Sequence, residues 1–170
     1  MTDVQAETQV RFARPEDAAT IIEFVRGLAV FERESPDRVH LTQEAVLRDG
    51  FGDRPVFEVL IAEQVDRPVG FALFFPNYST WEGRPGLYVE DLFVAEEARG
   101  TGAGRALLAA LARIARDRDW RRIDLAVLDW NPAREFYEAH GMEHQAEWLP
   151  YRMEADAIAR LAADAPAIEA

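Results

Sequence analysis

Apolar positions along this chain follow two rhythms, one of three to four residues and one of two. Ile21, Phe24, Val25, Leu28 and Phe31 recur at helical spacing behind Arg14-Pro15-Glu16-Asp17, which puts proline and acids at a helix entry. A helix to about Phe31 is expected, then a charged loop over 32–40 with Ser35-Pro36. Thr42 is placed to cap a second helix to about Arg48, closed by the turn Asp49-Gly50-Phe51-Gly52-Asp53. Shorter apolar runs at 9–13, 56–64, 69–75, 87–94 and 123–128 read as strands. The turn Val65-Asp66-Arg67-Pro68 joins the second and third as a hairpin, and 77–86 reads as a loop.

Leu107, Ala110, Leu111 and Ile114 line a helix from near Gly104 to about Arg118. Asn131-Pro132 offers a cap and a first-turn proline for the next helix, and His140-Gly141 a glycine stop. Closing strands are expected at 142–147 and 148–153, and a terminal helix at 154–163. Strand, two helices, three strands, helix, strand, helix and terminal strands make an α/β domain around a mixed sheet. The expected organisation is a loose leader at 1–8, one domain at 9–163 and a tail at 164–170.

Composition narrows the setting. Hydrophobic residues make up 49% and charged ones 29% of 170, a balance that suits one soluble domain. No apolar run approaches the roughly 20 residues that cross a bilayer, and no basic-then-apolar leader opens the chain. No membrane partner and a cytoplasmic location are therefore expected. Without cysteine there is no disulfide, no thiolate metal site and no cysteine nucleophile, and no metal is expected. Thirty-one acids face 19 basic residues, all arginine, for a net charge of −12. That field argues against nucleic acid and draws cationic substrates.

The chemistry concentrates at Arg99-Gly100-Thr101-Gly102-Ala103-Gly104, between a strand and a helix start. Alternate glycines bare the backbone amides, and a helix N-terminus adds partial positive charge, so the turn is suited to phosphate. A P-loop is excluded because no Gly-Lys pair exists. A dinucleotide fingerprint fails in both frames, since Arg105 or Leu107 stands where its third glycine belongs. On the spacing Arg-x-x-Gly-x-Gly and the element order, the chain resembles the GCN5-related N-acetyltransferase (GNAT) superfamily. The resemblance implies a mostly antiparallel sheet with two splayed parallel central strands, flanked by helices, and acetyl-CoA as cosubstrate.

Further stretches resemble one branch, the diamine (spermidine/spermine) N-acetyltransferases. They are Leu28-Ala29, Phe31-Glu32, Leu41-Thr42, Asp49-Gly50-Phe51-Gly52, Val69-Gly70-Phe71-Ala72, the octapeptide ending Glu90-Asp91-Leu92-Phe93-Val94, and Trp130-Asn131 with Phe136-Tyr137. The resemblance implies Glu90 as base and Tyr137 as acid. It implies coenzyme contacts at Phe93, Val94, Arg99, Gly100, Thr101, Gly102, Ala103, Gly104, Arg105, Asn131 and Arg134. Acceptor contacts would come from Glu32, Tyr78, Trp81, Glu90 and Trp148, and a homodimer is implied because a partner subunit helps build the acceptor site in this branch.

The residues alone leave alternatives open. Strict alternation puts Tyr88, Glu90, Leu92 and Val94 on one face and Leu87, Val89, Asp91 and Phe93 on the other. A carboxylate inside that run needs a partner or a function, so Glu90 reads equally as a salt-bridging group. Tyr137 reads equally as a core tyrosine, and Asn131 as a cap alone. Ser79-Thr80 stands where polyamine enzymes carry an acid, Val30 where a base is common and Phe31 where a tyrosine is. These departures leave smaller amines or thialysine-like amino acids open as acceptors. The expected activity is direct acetyl transfer to a primary amine in a ternary complex, since no cysteine can carry an acyl-enzyme. Acetylation of a protein lysine or N-terminus, or a non-catalytic acetyl-CoA sensor, are the alternatives.

Overall fold

Residues 7–168 are described by a computed structural model, so most of the expected leader and the last two residues lie outside the described residues. The chain divides into two compact units, one ending at Asn131 and one beginning at Pro132. In the first, β1 (Gln9–Phe12) leads through a tight turn at Pro15–Asp17 into α1 (Ala18–Phe31) and α2 (Gln43–Phe51). Then come β2 (Glu58–Gln64), β3 (Arg67–Ser79), β4 (Arg84–Val94), α3 (Ala103–Asp117) and β5 (Ile123–Leu125). The second unit contains α4 (Ala133–Ala139) and α5 (Ala155–Ala162).

The five strands form one sheet in sequence order, antiparallel except for the parallel pair β4–β5. Each face buries its own core. Leu60, Ala62, Phe74, Leu87 and Val89 pack beneath Leu107 and Leu111 of α3. Val59, Ile61, Phe71 and Leu73 pack on the other face against Ile21, Phe24 and Val46 of α1 and α2. An ion-pair brace ties the entry of α1 to the sheet: the Arg11 guanidinium donates to Asp17 at 2.7 and 2.9 Å and to Glu63 at 2.8 and 3.0 Å. This pairing holds the Asp17 carboxyl below its usual range.

Several local expectations are corrected. The capping Thr42 does accept from the Ala45 amide at 3.1 Å, but α2 runs on through Asp49-Gly50-Phe51 instead of turning there. The expected loop at 77–86 is mostly strand: the β3–β4 ladder continues to Ser79↔Arg84, leaving only a short turn. The hairpin turn contracts to Val65-Asp66, both left-handed at φ +50° and +56°. Strand β5 stops at Leu125, three residues before the apolar run ends. Residues 142–153 contain no strand; Trp148 there is 73% exposed. An apolar-aromatic run reads as a strand only when a neighbouring ladder takes up its backbone groups, and none does so here among the described residues.

Candidate active site

Strand β4 is where the sheet becomes irregular. Opposite β3 the register jumps from Phe74↔Val89 to Leu73↔Asp91, so Glu90 is an extra, unpaired residue in a β-bulge. The bulge resets the alternation. Leu87 and Val89 face α3, but beyond Glu90 it is Leu92 and Val94 that pack with that side, while Phe93 packs with α1. Alternation therefore holds within each side of Glu90, but the two expected faces exchange across it. On its other edge β4 pairs with β5 only from Leu87↔Ile123 to Val89↔Leu125. From Glu90 to Val94 that edge has no strand beside it among the described residues, so the parallel pairing ends at the bulge.

Three carboxylates gather there. Glu90 itself is exposed, whereas Asp91 is half-buried. The Asp91 carboxyl is pushed up from 3.8 to about 6, first by burial and then by the charges of Glu90 and Glu32. Glu32, at the end of α1, is also raised, by burial and then by Glu34. The cost of burying an acid in this strand thus falls on Asp91 and not on Glu90. Sequence offered no signal for this, because bulges have no composition of their own.

Past Val94 the chain turns through Glu96–Ala98 into the glycine loop. Gly100 and Gly102 sit at φ +77° and +95°, with open space where a Cβ would point. The first backbone bond into α3 is from the Ala106 amide to Gly102 O at 2.9 Å. The amides of Ala103, Gly104 and Arg105 are those that an α-helix start leaves without intrahelical partners. Thr101 is committed to the loop itself: its hydroxyl donates to Ala98 O at 2.6 Å and accepts from Gln64 Nε2 at 2.7 Å. Gln64 also donates to Thr8, so the last residue of β2 anchors the loop, a role its sequence position did not reveal.

Arg99 stacks over Phe31 at 4.6 Å and Phe93 at 5.8 Å while its Nε donates to Val94 O at 3.2 Å. Val94, expected to meet the coenzyme arm, therefore has its carbonyl engaged by Arg99. Phe93 is backed by Phe24 at 6.0 Å and lies against Gly27.

The aromatic acceptor candidates are not brought to Glu90 within this unit. Trp81 is at the tip of the β3–β4 hairpin and 92% exposed; Tyr78, 61% exposed, pairs with Pro85 near that tip. At about 3.3 Å per residue, the five positions from Phe74 to Ser79 separate tip and bulge by roughly 16 Å.

Asn131, which closes the first unit, is 6% exposed. The cap position of α4 falls on Pro132, with φ and ψ of −63° and −14°, and not on Asn131 as expected, so the helix begins one residue later, at Ala133. In the second unit, Tyr137 lies edge-on to Phe136 at 5.2 Å. The helix stops at Gly141, φ +88°, where the Met142 and Gly141 amides donate to Tyr137 O and Glu138 O. Arg134 is on the first turn of the same helix.

Residues 21–142 match the family model described as Acetyltransferase (GNAT) family. The thialysine N-epsilon-acetyltransferase of Bos taurus is 37% identical, covering 92% of this chain and 98% of that protein. The L-ornithine N5-acetyltransferase of Arabidopsis thaliana is 28% identical over 89% and 86%. A human spermidine/spermine N(1)-acetyltransferase-like protein is 32% identical over 91% of this chain but only 24% of its own length. A solved integron cassette protein from V. cholerae superposes with a TM-score of 0.75 at 24% identity, over 91% of this chain and 97% of its own, which shows the shared fold. No group of metal-binding side chains and no helix long and apolar enough to cross a membrane occurs among the described residues. Family match, relatives and the mixed sheet with its single parallel pair agree: the chain belongs to the GNAT family of N-acetyltransferases.

Proposed function

We propose that this protein acetylates a primary amine on a small polyamine, diamine or thialysine-like amino acid, taking the acetyl group from acetyl-CoA by direct attack. The observation that carries this reading is the end of β4–β5 pairing at the Glu90 bulge, which leaves the β4 edge unpaired up to the glycine loop. The open edge at Phe93 and Val94 is suited to the amide-bearing arm of the coenzyme. Gly100 to Arg105, with Asn131 and Arg134, would serve its phosphates and far end. Glu32, Glu90 and Asp91 supply negative charge for an alkylammonium.

An alkylammonium has a pKa near 10.4, so little free amine exists at neutral pH. In this reading Glu90 takes the proton, directly or through water. The amine nitrogen then bonds to the thioester carbonyl carbon, the carbon–sulfur bond breaks and the Tyr137 phenol protonates the thiolate; the second proton that the nitrogen sheds as the amide forms passes through solvent to restore the phenol. Exposure of Tyr78, Trp81 and Trp148 supports a role in which a second subunit's acceptor uses them, and with it the homodimer of the resembled branch.

Coenzyme A release is measured against diamines, polyamines, thialysine, ornithine and lysine peptides, for the native protein, Glu90→Gln and Tyr137→Phe. Turnover of small amines, lost by at least tenfold in both variants, is the expected result. Unchanged turnover in both removes the catalytic roles. Turnover of peptides alone would point to a protein acceptor, and acetyl-CoA binding without any turnover to a sensor.

A further inference from the structure

Trp130 and Arg33 have no part in the roles above, yet they hold each other in place. Arg33 follows the end of α1 at φ +63°. Its amide donates to Val30 O at 3.1 Å and the Glu34 amide to Ala29 O at 2.9 Å, the helix-ending pattern in which glycine is usual. An arginine here accepts a strained backbone. It also stands between two acids, Glu32 and Glu34. Two other arginines pair with the acid that follows them, Arg48 with Asp49 at 2.6 Å and Arg116 with Asp117 at 2.7 Å.

Arg33 does otherwise. Its guanidinium lies over the Trp130 ring, 4.0 Å from the centroid. Glu34 is taken by Arg38 at 2.5 Å, and among the described residues no ion pair joins Arg33 to Glu32. Arg99 is likewise held on the Phe31 and Phe93 rings. Arg33 and Arg99 therefore both rest on aromatic faces, which offer a guanidinium an alternative to a carboxylate.

We propose that Trp130 sequesters the Arg33 cation away from Glu32, keeping the carboxylates uncompensated for a positively charged acceptor, so that the pair determines acceptor affinity without touching the reacting atoms. This rests on the acceptor reading above. Loss of the indole frees Arg33 to pair with Glu32 and compete with the incoming ammonium.

The test uses the amine turned over fastest in the panel above. Trp130→Leu is expected to raise the acceptor KM about tenfold, the loss of one charge-assisted contact, with the acetyl-CoA KM unmoved. Trp130→Phe, which keeps an aromatic face, should stay near native. Adding Arg33→Gly to Trp130→Leu should return the acceptor KM most of the way, glycine being at ease at this φ. A double variant as impaired as Trp130→Leu, or a Trp130→Leu enzyme with a native acceptor KM, overturns the proposal. Glu32→Gln separates the two levels. If it leaves the acceptor KM unchanged, the acceptor reading itself has failed. If it raises that KM while Trp130→Leu does not, only the sequestration is wrong.

Discussion

Replacing Asp91 with asparagine should stabilise this protein at neutral pH and do nothing at low pH. The folded carboxyl holds its proton up to about pH 6, against 3.8 when solvated, because it is half-buried and faces Glu90 and Glu32. Between those values the folded state binds more protons than the unfolded state, so stability falls as pH rises through the window and levels off above it. A shift of roughly two units at 1.36 kcal/mol each sets the cost of the ionised group at about 3 kcal/mol. Asparagine carries no charge and removes that cost. Urea unfolding of both proteins from pH 3.5 to 8 should show equal stability near pH 3.5. The variant should then gain progressively, reaching about 2–3 kcal/mol by pH 7.5. A difference that stays constant across this range, or a variant less stable at pH 7.5, would refute the idea that Asp91 is held ionised at a cost. If the cost is repaid by a cationic acceptor, the same variant should also bind its amine more weakly.

The β2–β3 turn places Val65 and Asp66 in the left-handed region. Val65→Asn with Asp66→Gly, the favoured pair for such a turn, should add about 1–2 kcal/mol in urea unfolding; no gain would mean the turn is not strained. A Cβ at Gly27 would come within 2.8 Å of the Phe93 ring, so Gly27→Ala should destabilise by about 1–3 kcal/mol by overpacking. A native urea midpoint would show that α1 and β4 can separate freely. Gln64→Ala removes the hydrogen bond to Thr101 that steadies the glycine loop. About 1 kcal/mol lost there predicts an acetyl-CoA KM raised roughly fivefold with the acceptor KM unchanged; the reverse pattern would place the loop elsewhere in the reaction.

Elements that carry a strong local signal were legible from the residues alone. Helical spacing from Ile21 to Phe31 places α1, Thr42 caps α2, and Gly141 ends α4, because each depends on contacts within one or two turns. The glycine loop was legible for the same reason, since Gly100 and Gly102 adopt backbone angles that other residues avoid. Tertiary structure decided what depends on pairing. The Glu90 bulge exists only in the register of β4 on β3, and it exchanges the faces beyond it, so the half-buried acid is Asp91. The anchoring of Thr101 by Gln64 joins residues 37 apart, and the seating of Arg33 on Trp130 spans still more of the chain. Periodicity reports which way a side chain points relative to its neighbours in sequence; only the ladder and the packing that surround it decide what it meets.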